Sequence, residues 1–187
     1  MATNSFVPVP IEKAKDLLLG EGSLYKDYDE VGEAIIGATR GGTTFEIERS
    51  IKEVEYDGAM GATKAMRRYE RCVIRLVINF LKINYVNLAY GLNVTVSDGS
   101  DQDGTYKKIS FDTDCNSTDV MTNLTFYGKK ADGSYCLIKL LNVINTGNVS
   151  FEWKSKDELV SELTYTACYA YATPSTPPVE IWEEIPA

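Results

Sequence analysis

Residues 43–58 read TTFEIERSIKEVEYDG and residues 71–83 read RCVIRLVINFLKI. In the first stretch Phe45, Ile47, Arg49 and Ile51 alternate with Thr44, Glu46, Glu48 and Ser50. A period of two places successive side chains on opposite faces, so this alternation predicts a half-buried strand with Glu46 and Glu48 turned away from the apolar face. In the second stretch Cys72, Ile74, Leu76, Ile78 and Phe80 share one side, while Val73, Arg75, Val77, Asn79 and Leu81 share the other. Both sides are largely apolar, which predicts a strand covered on both faces. Asp57-Gly58 breaks the first run, and GAMGATKAMRRYER reads as a basic connecting loop between the two strands.

Working outward, Asn84 can cap a short helix over Tyr85–Tyr90 that Gly91 would end. LNVTVSDGSDQDGTYKKISF reads as a hairpin around an Asp/Gly-rich turn. VMTNLTFYGKK and SYCLIKLLNVI read as a second hairpin, joined through Ala131-Asp132-Gly133. NVSFEWKSKDELVSELTYTACYAYA supplies a strand, a polar turn and a final strand. Seven or eight strands with one short helix predict a mostly β fold, a β-sandwich or small barrel, over residues 31–173. Residues 1–30 read as an N-terminal arm carrying Leu17, Leu18, Leu19, Tyr25 and Tyr28; residues 174–187, with Trp182 between Ile181 and Ile185, read as an extended C-terminal arm. Such apolar arms cannot bury themselves and are expected to lie on a neighbouring surface.

Composition narrows the function. The 187 residues hold 19 basic and 27 acidic side chains and no histidine, for a net charge of −8. Without histidine, imidazole-based triads, proton shuttles and histidine-ligated metal sites are excluded, and no catalytic role is expected. Cys72, Cys115, Cys136 and Cys168 form no C-x-x-C pair and read as free thiols. No cofactor is expected. The N-x-[ST] triplets at Asn93, Asn116, Asn123 and Asn148 should stay unmodified, since the start of the chain does not have the order of a signal peptide. No apolar run approaches the roughly 18 residues of a membrane span, so no membrane anchoring is expected.

Three local patterns look like ligand sites. GATRGGTT, residues 37–44, resembles a phosphate-binding loop, but Thr43 stands where the lysine belongs and a strand follows where a helix is needed. Asp98, Asp101, Asp103, Asp112 and Asp114 crowd a hairpin, yet Gly99 occupies a position where an EF-hand loop needs an acid, and a solvated turn is the better reading. Lys64, Arg67, Arg68, Arg71 and Arg75 concentrate positive charge in an acidic chain, and only Tyr69 is interleaved as a nucleic-acid site would want. A solvated loop and a contact with the acidic surface of another copy both remain open for this stretch.

The order of features then resembles a family. IIGATRGGTTFEIERSIKEVEYDGAMGATKAMRR, the helix in INYVNLAYGL, and the block from VMTNLTFYGKK to VEIWEE are similar, over residues 30–182, to the tail tube proteins (major tail proteins) of long-tailed bacteriophages and related phage-derived tails. The resemblance implies a β-sandwich whose copies close into hexameric rings that stack into a tube for DNA ejection. It implies a virion tail location after synthesis in the bacterial cytoplasm. The partners it implies are further copies and other tail proteins (tape measure, terminator, baseplate or distal tail), with DNA passing transiently through the lumen. Tight binding of that DNA is not expected of an acidic chain. On this reading Leu17, Leu18, Leu19, Lys64, Arg67, Arg68 and Trp182 are candidates for contacts between subunits or rings. Glu46, Glu48, Glu53 and Glu55 are candidates for an acidic lumen wall that phosphates slide past. A monomeric β-sandwich binding module, for carbohydrate or for decorating a capsid, is the alternative, given twelve tyrosines and two tryptophans.

Overall fold

The structure is a computed structural model; it describes residues 18–36, 39–54, 57–58, 60–61, 66–80, 85–90, 92, 94–101, 103–111, 119–130, 132–150 and 161–185. The chain is mostly β and antiparallel, as the alternation predicts. Among the described residues the strands are β1 (Leu18–Lys26), β2 (Ala34–Ile35), β3 (Thr39–Glu53), β4 (Arg67–Phe80), β5 (Val94–Asp101), β6 (Gly104–Phe111), β7 (Met121–Lys130), β8 (Tyr135–Asn145), β9 (Ser161–Ala167) and β10 (Val179–Glu183). A short helix, α1, spans Tyr85–Ala89, within one residue of the predicted span.

Eight strands form one sheet in the order β2-β1-β7-β8-β9-β4-β3, with β10 also on β8. The sheet does not close into a barrel. It divides instead along β8, whose residues 136–140 pair with β10 and whose residues 143–145 pair with β9 on the same edge. Asn142 lies at the changeover with φ 51°, a left-handed conformation that asparagine tolerates better than most residues. It is fixed there by the Cys168 N–H on its carbonyl at 2.9 Å, and its side-chain amide donates to the Cys168 carbonyl at 3.4 Å.

A single core unites the two halves. β4 contributes Ile74, Leu76, Ile78 and Phe80, β9 contributes Leu163 and Tyr165, and β7, β8 and β1 contribute Leu124, Leu140, Val143 and Leu24. Each such side chain, fully withdrawn from water, stabilises the fold by about 1.5–3 kcal/mol before the entropy of ordering is counted. The Tyr165 hydroxyl donates to the Tyr90 carbonyl at 3.3 Å and ties the segment after α1 to the core.

Three local expectations need correction. Arg67, Arg68 and Arg71 are not in a loop, because β4 begins at Arg67 and continues the ladder with β3. The second face of β4 is not buried: Val73, Arg75, Val77 and Asn79 are half-exposed, and only the Ile74 side is closed off. Residues 18–26 and 179–183, read as parts of arms, form β1 and β10 of the sheet, with Leu24 in the core. The alternation of β1 is weak because Gly20, Glu21, Gly22 and Ser23 interrupt it. Gly22 is required where it stands: a Cβ there would run into the Phe126 ring and meet the Tyr127 carbonyl oxygen at 2.7 Å.

Candidate assembly surfaces

The long β3–β4 hairpin is the first surface. Its ladder runs from Thr43↔Ile78 to Glu53↔Arg67, with an irregularity at Ser50/Ile51 where Glu70 is the extra residue. Near the core one face is covered, but from Ile51 and Tyr69 outward both faces are exposed. Ile51, Val54, Met66 and Tyr69 all stand in solvent. Arg49 lies over the Tyr69 ring at 5.8 Å. Inward of that pair, a groove of about 610 Å³ separates the hairpin from the segment after β9; Ile47, Tyr69, Cys72, Tyr169 and Pro177 are among the residues lining it. The Tyr169 hydroxyl crosses it to the Cys72 carbonyl at 3.1 Å.

Paired carboxylates change the meaning of the acidic candidates. Glu48 holds Arg75 at 2.8 Å and Glu53 holds Arg67 at 3.0 Å, while Glu46 stands opposite Arg75 in the ladder. These acids therefore present a mixed surface rather than a row of unopposed negative charge. Exposed pairs of this sort stabilise by less than about 1 kcal/mol each. Glu55, Lys64 and Leu17 lie outside the described residues; of Leu18 and Leu19 the structure describes the backbone, in β1.

The second surface lies around the β1–β2 turn, and sequence reasoning missed its support. Asp27 is buried with φ 49°, and its Oδ1 accepts the N–H groups of Thr122 at 3.0 Å and Asn123 at 3.4 Å. Its Oδ2 takes the Lys26 ammonium at 2.5 Å. Asn123, fully buried, accepts the Tyr28 N–H at 2.8 Å and the Thr125 hydroxyl at 3.1 Å, and donates to the Tyr28 carbonyl at 3.2 Å. The sequence flagged Asn123 only as part of a glycosylation triplet. Beyond this knot the turn presents Asp29, Glu30, Val31, Glu33 and Ile35 to solvent.

On the outer face of β1, β7, β8 and β10 the tyrosines gather. Ring centroids lie 5.5 Å apart for Tyr25–Tyr28, 6.2 Å for Tyr28–Tyr127 and 4.8 Å for Tyr127–Tyr135. Partial burial, then the neighbouring Tyr28, Tyr135 and Glu184, push the Tyr127 hydroxyl above the usual tyrosine range. Beside them a cavity of about 200 Å³ is lined by Tyr28, Asp29, Leu137, Lys139, Glu180 and Trp182. The Trp182 indole N–H donates to Glu180 Oε2 at 3.0 Å, which sets the ring against the cavity. Lys130, buried beneath β10, is held by Glu183. Of the predicted contact residues, Trp182 is thus on this face and Arg67 and Arg68 are on the hairpin.

The ligand-like patterns resolve plainly. Asp101 Oδ1 accepts the N–H groups of Asp103 at 2.8 Å and Gly104 at 3.1 Å, making a closed turn at the β5–β6 tip. Thr39–Thr44 belong to β3. Cys72 and Cys136 are free thiols; Cys115 lies outside the described residues.

No protein family matches the chain, and no curated protein sequence matches it. Among solved structures it is similar to a chain of the anti-feeding prophage (AFP) baseplate, at 8% identity over 94% of this chain and 97% of that one, with a TM-score of 0.49. It is also similar to a chain of the sheath-tube complex of an extracellular contractile injection system, PVC, in its extended state, at 10% identity over 95% and 100%, with a TM-score of 0.46. Identities this low concern the path of the chain and assign no residue a role.

Proposed function

We propose that this chain is a structural subunit of a phage-tail-like particle, and that its copies close into rings that stack as a tube. The reading begins from the resemblance of residues 30–182 to tail tube proteins. The observation that carries it furthest is an open sheet with two unused ends. Among the described residues β3, 15 residues long, ends the sheet on one side, and none of them pairs with its outer edge. On the other side β2 covers only Tyr25 and Lys26 of β1. Open edges of this length are an aggregation hazard in a lone subunit, and joining one edge to the opposite edge of the next copy removes the hazard while generating a ring. The role is structural rather than catalytic, and DNA passes without being bound.

The test is to purify the protein and image it by negative-stain electron microscopy, with sedimentation velocity in parallel. Rings or tubes are expected. A persistent monomer across the micromolar range overturns the reading. Glycan-array binding by that monomer would establish the binding-module alternative.

A further inference from the structure

Two strand edges meet the groove beside the hairpin, and neither is paired there. β9 and β10 lie on the same edge of β8. Ile144 of β8 is opposite Thr166 of β9, and Thr166 is opposite Arg75 of β4. β8 and β4 therefore run in the same direction, and four residues back Leu140 is level with Arg71. Val179 of β10 is opposite Leu140, which brings the start of β10 level with Arg71 as well. Arg71 and Val179 both line the groove of about 610 Å³. Where the sheet would continue from β8 through β10 to β4, it is split instead. Among the described residues β4 has no ladder partner on this side before Arg75, and β10 pairs only with β8.

The split does not close within the subunit. β10 is fixed to β8 by the ladder from Val179↔Leu140 to Glu183↔Cys136, by Glu183 on the buried Lys130, and by the Tyr135 N–H on Glu184 Oε2 at 2.9 Å. The Tyr169 hydroxyl on the Cys72 carbonyl spans the gap from the segment after β9. Nor does a described strand of a second copy fit. A strand lying between two edges needs both of its own edges free, and every described strand already uses one in a ladder. The charges at the groove are selective too. Glu48 and Glu53 are paired with Arg75 and Arg67, whereas Arg49 and Arg71 meet no carboxylate among the described residues. Glu70, which also lines the groove, accepts the Ser50 hydroxyl at 3.4 Å. Two guanidiniums against one carboxylate, in a chain of net charge −8, favour an acidic guest.

We infer that the groove takes an extended acidic segment of a different polypeptide, seated as a strand between β4 and β10. Main-chain N–H and C=O groups of the guest pair with the two edges, the mode by which open sheets bind peptides. Its carboxylates meet Arg49 and Arg71, and the apolar side chains alternating with them meet Ile47 and Ile74. β10 is antiparallel to β8 and hence to β4, so the guest runs parallel to one edge and antiparallel to the other. The site does not depend on ring or tube formation.

In the experiment, full-length protein is titrated, by fluorescence anisotropy, with a labelled seven-residue peptide alternating valine and glutamate. A valine–lysine peptide of the same length is one control. The glutamate peptide methylated at alternate backbone nitrogens, which blocks one row of its donors, is the other. The glutamate peptide is expected to bind roughly tenfold more tightly than either control and to slow amide hydrogen exchange in residues 69–72 and 179–182 alike. Arg49→Glu and Arg71→Glu change exposed side chains and should leave the circular dichroism spectrum unchanged. Each should weaken binding roughly fivefold, and Arg71→Gln by less. No binding, binding indifferent to backbone methylation, or protection of one edge alone overturns the inference. Binding that appears only after residues 1–17 are removed gives the groove to the chain's own N-terminal segment and overturns it as well.

Discussion

The β1–β2 turn and the tip of the β3–β4 hairpin both end a pair of antiparallel strands, yet they are held in opposite ways. The turn is anchored from below by Asp27 and Asn123, both buried, whose polar atoms are satisfied by β7 and by the turn's own backbone. Among the described residues the tip is held by its ladder, the exposed Glu53–Arg67 pair, a Ser50–Glu70 hydrogen bond and Arg49 over the Tyr69 ring. Buried polar groups are costly to leave unmet and fix one geometry, whereas exposed pairs fix little. The turn is therefore fixed by the subunit's own buried groups, and the tip by weaker, exposed contacts. Substitutions near the turn should act on folding, and substitutions at the tip on association.

The largest effect should come from the strand that carries the turn's anchor. Leu124, fully buried on β7, is expected to cost about 3 kcal/mol when changed to alanine, by loss of transfer energy and by the cavity left behind. Urea unfolding of wild type and variant measures it. Asn123→Ala comes next, at about 2 kcal/mol, because it strands the Tyr28 N–H and the Thr125 hydroxyl. If Asn123→Ala unfolds at the wild-type midpoint, the turn is not anchored as described. Gly22→Ala should cost about 1–2 kcal/mol, since the new methyl meets the Phe126 ring and the backbone of β7. Its folded fraction should drop most at elevated temperature, read by thermal melt.

Alkaline pH gives a smaller and differently shaped effect. Burial pushes the Tyr165 hydroxyl far above its ordinary value of 10.0, so the folded chain keeps a proton that the unfolded chain releases. Stability from this group is intact below pH 10 and falls as pH rises beyond it, by up to about 1.4 kcal/mol per pH unit. Tyr165→Phe should flatten the decline in urea midpoint between pH 9.5 and 11 relative to wild type. An unchanged slope would mean that Tyr165 ionises freely in the folded chain.

The same contrast explains what the sequence made legible. β4 could be read because five apolar residues alternate without interruption, and α1 because Asn84 and Gly91 bracket it. The Asp132-Gly133 turn was equally plain, and Gly133 takes φ 90° there. β1 and β10 were not legible as sheet strands: glycines and serine dilute the first, and prolines before the second signal an extended tail. Pairing with β7 and β8 overrides both local signals. Among the site residues, Arg67, Arg68 and Trp182 stood out by type. Asp27 and Asn123 did not, because their role depends on a contact across 96 residues of chain. The acidic row Glu46, Glu48 and Glu53 was visible, but its neutralisation by Arg75 and Arg67 needed the register of β3 on β4.

The sharpest use of the comparison is a change with almost no effect on the subunit. Ile51 sits at the irregularity in the hairpin and is 52% exposed, so Ile51→Ser removes little buried area and should shift stability by no more than about 0.5 kcal/mol. With Val54 and Met66 the same side chain makes the hairpin tip apolar, and on the self-assembly reading a neighbouring copy covers it. Tube length should therefore fall while the urea midpoint stays put. If Ile51→Ser destabilises the monomer by as much as Asn123→Ala, the tip is part of the folding core and the division between a rigid end and an associating end fails. If it changes neither, the tip does not bury its apolar side in the assembly.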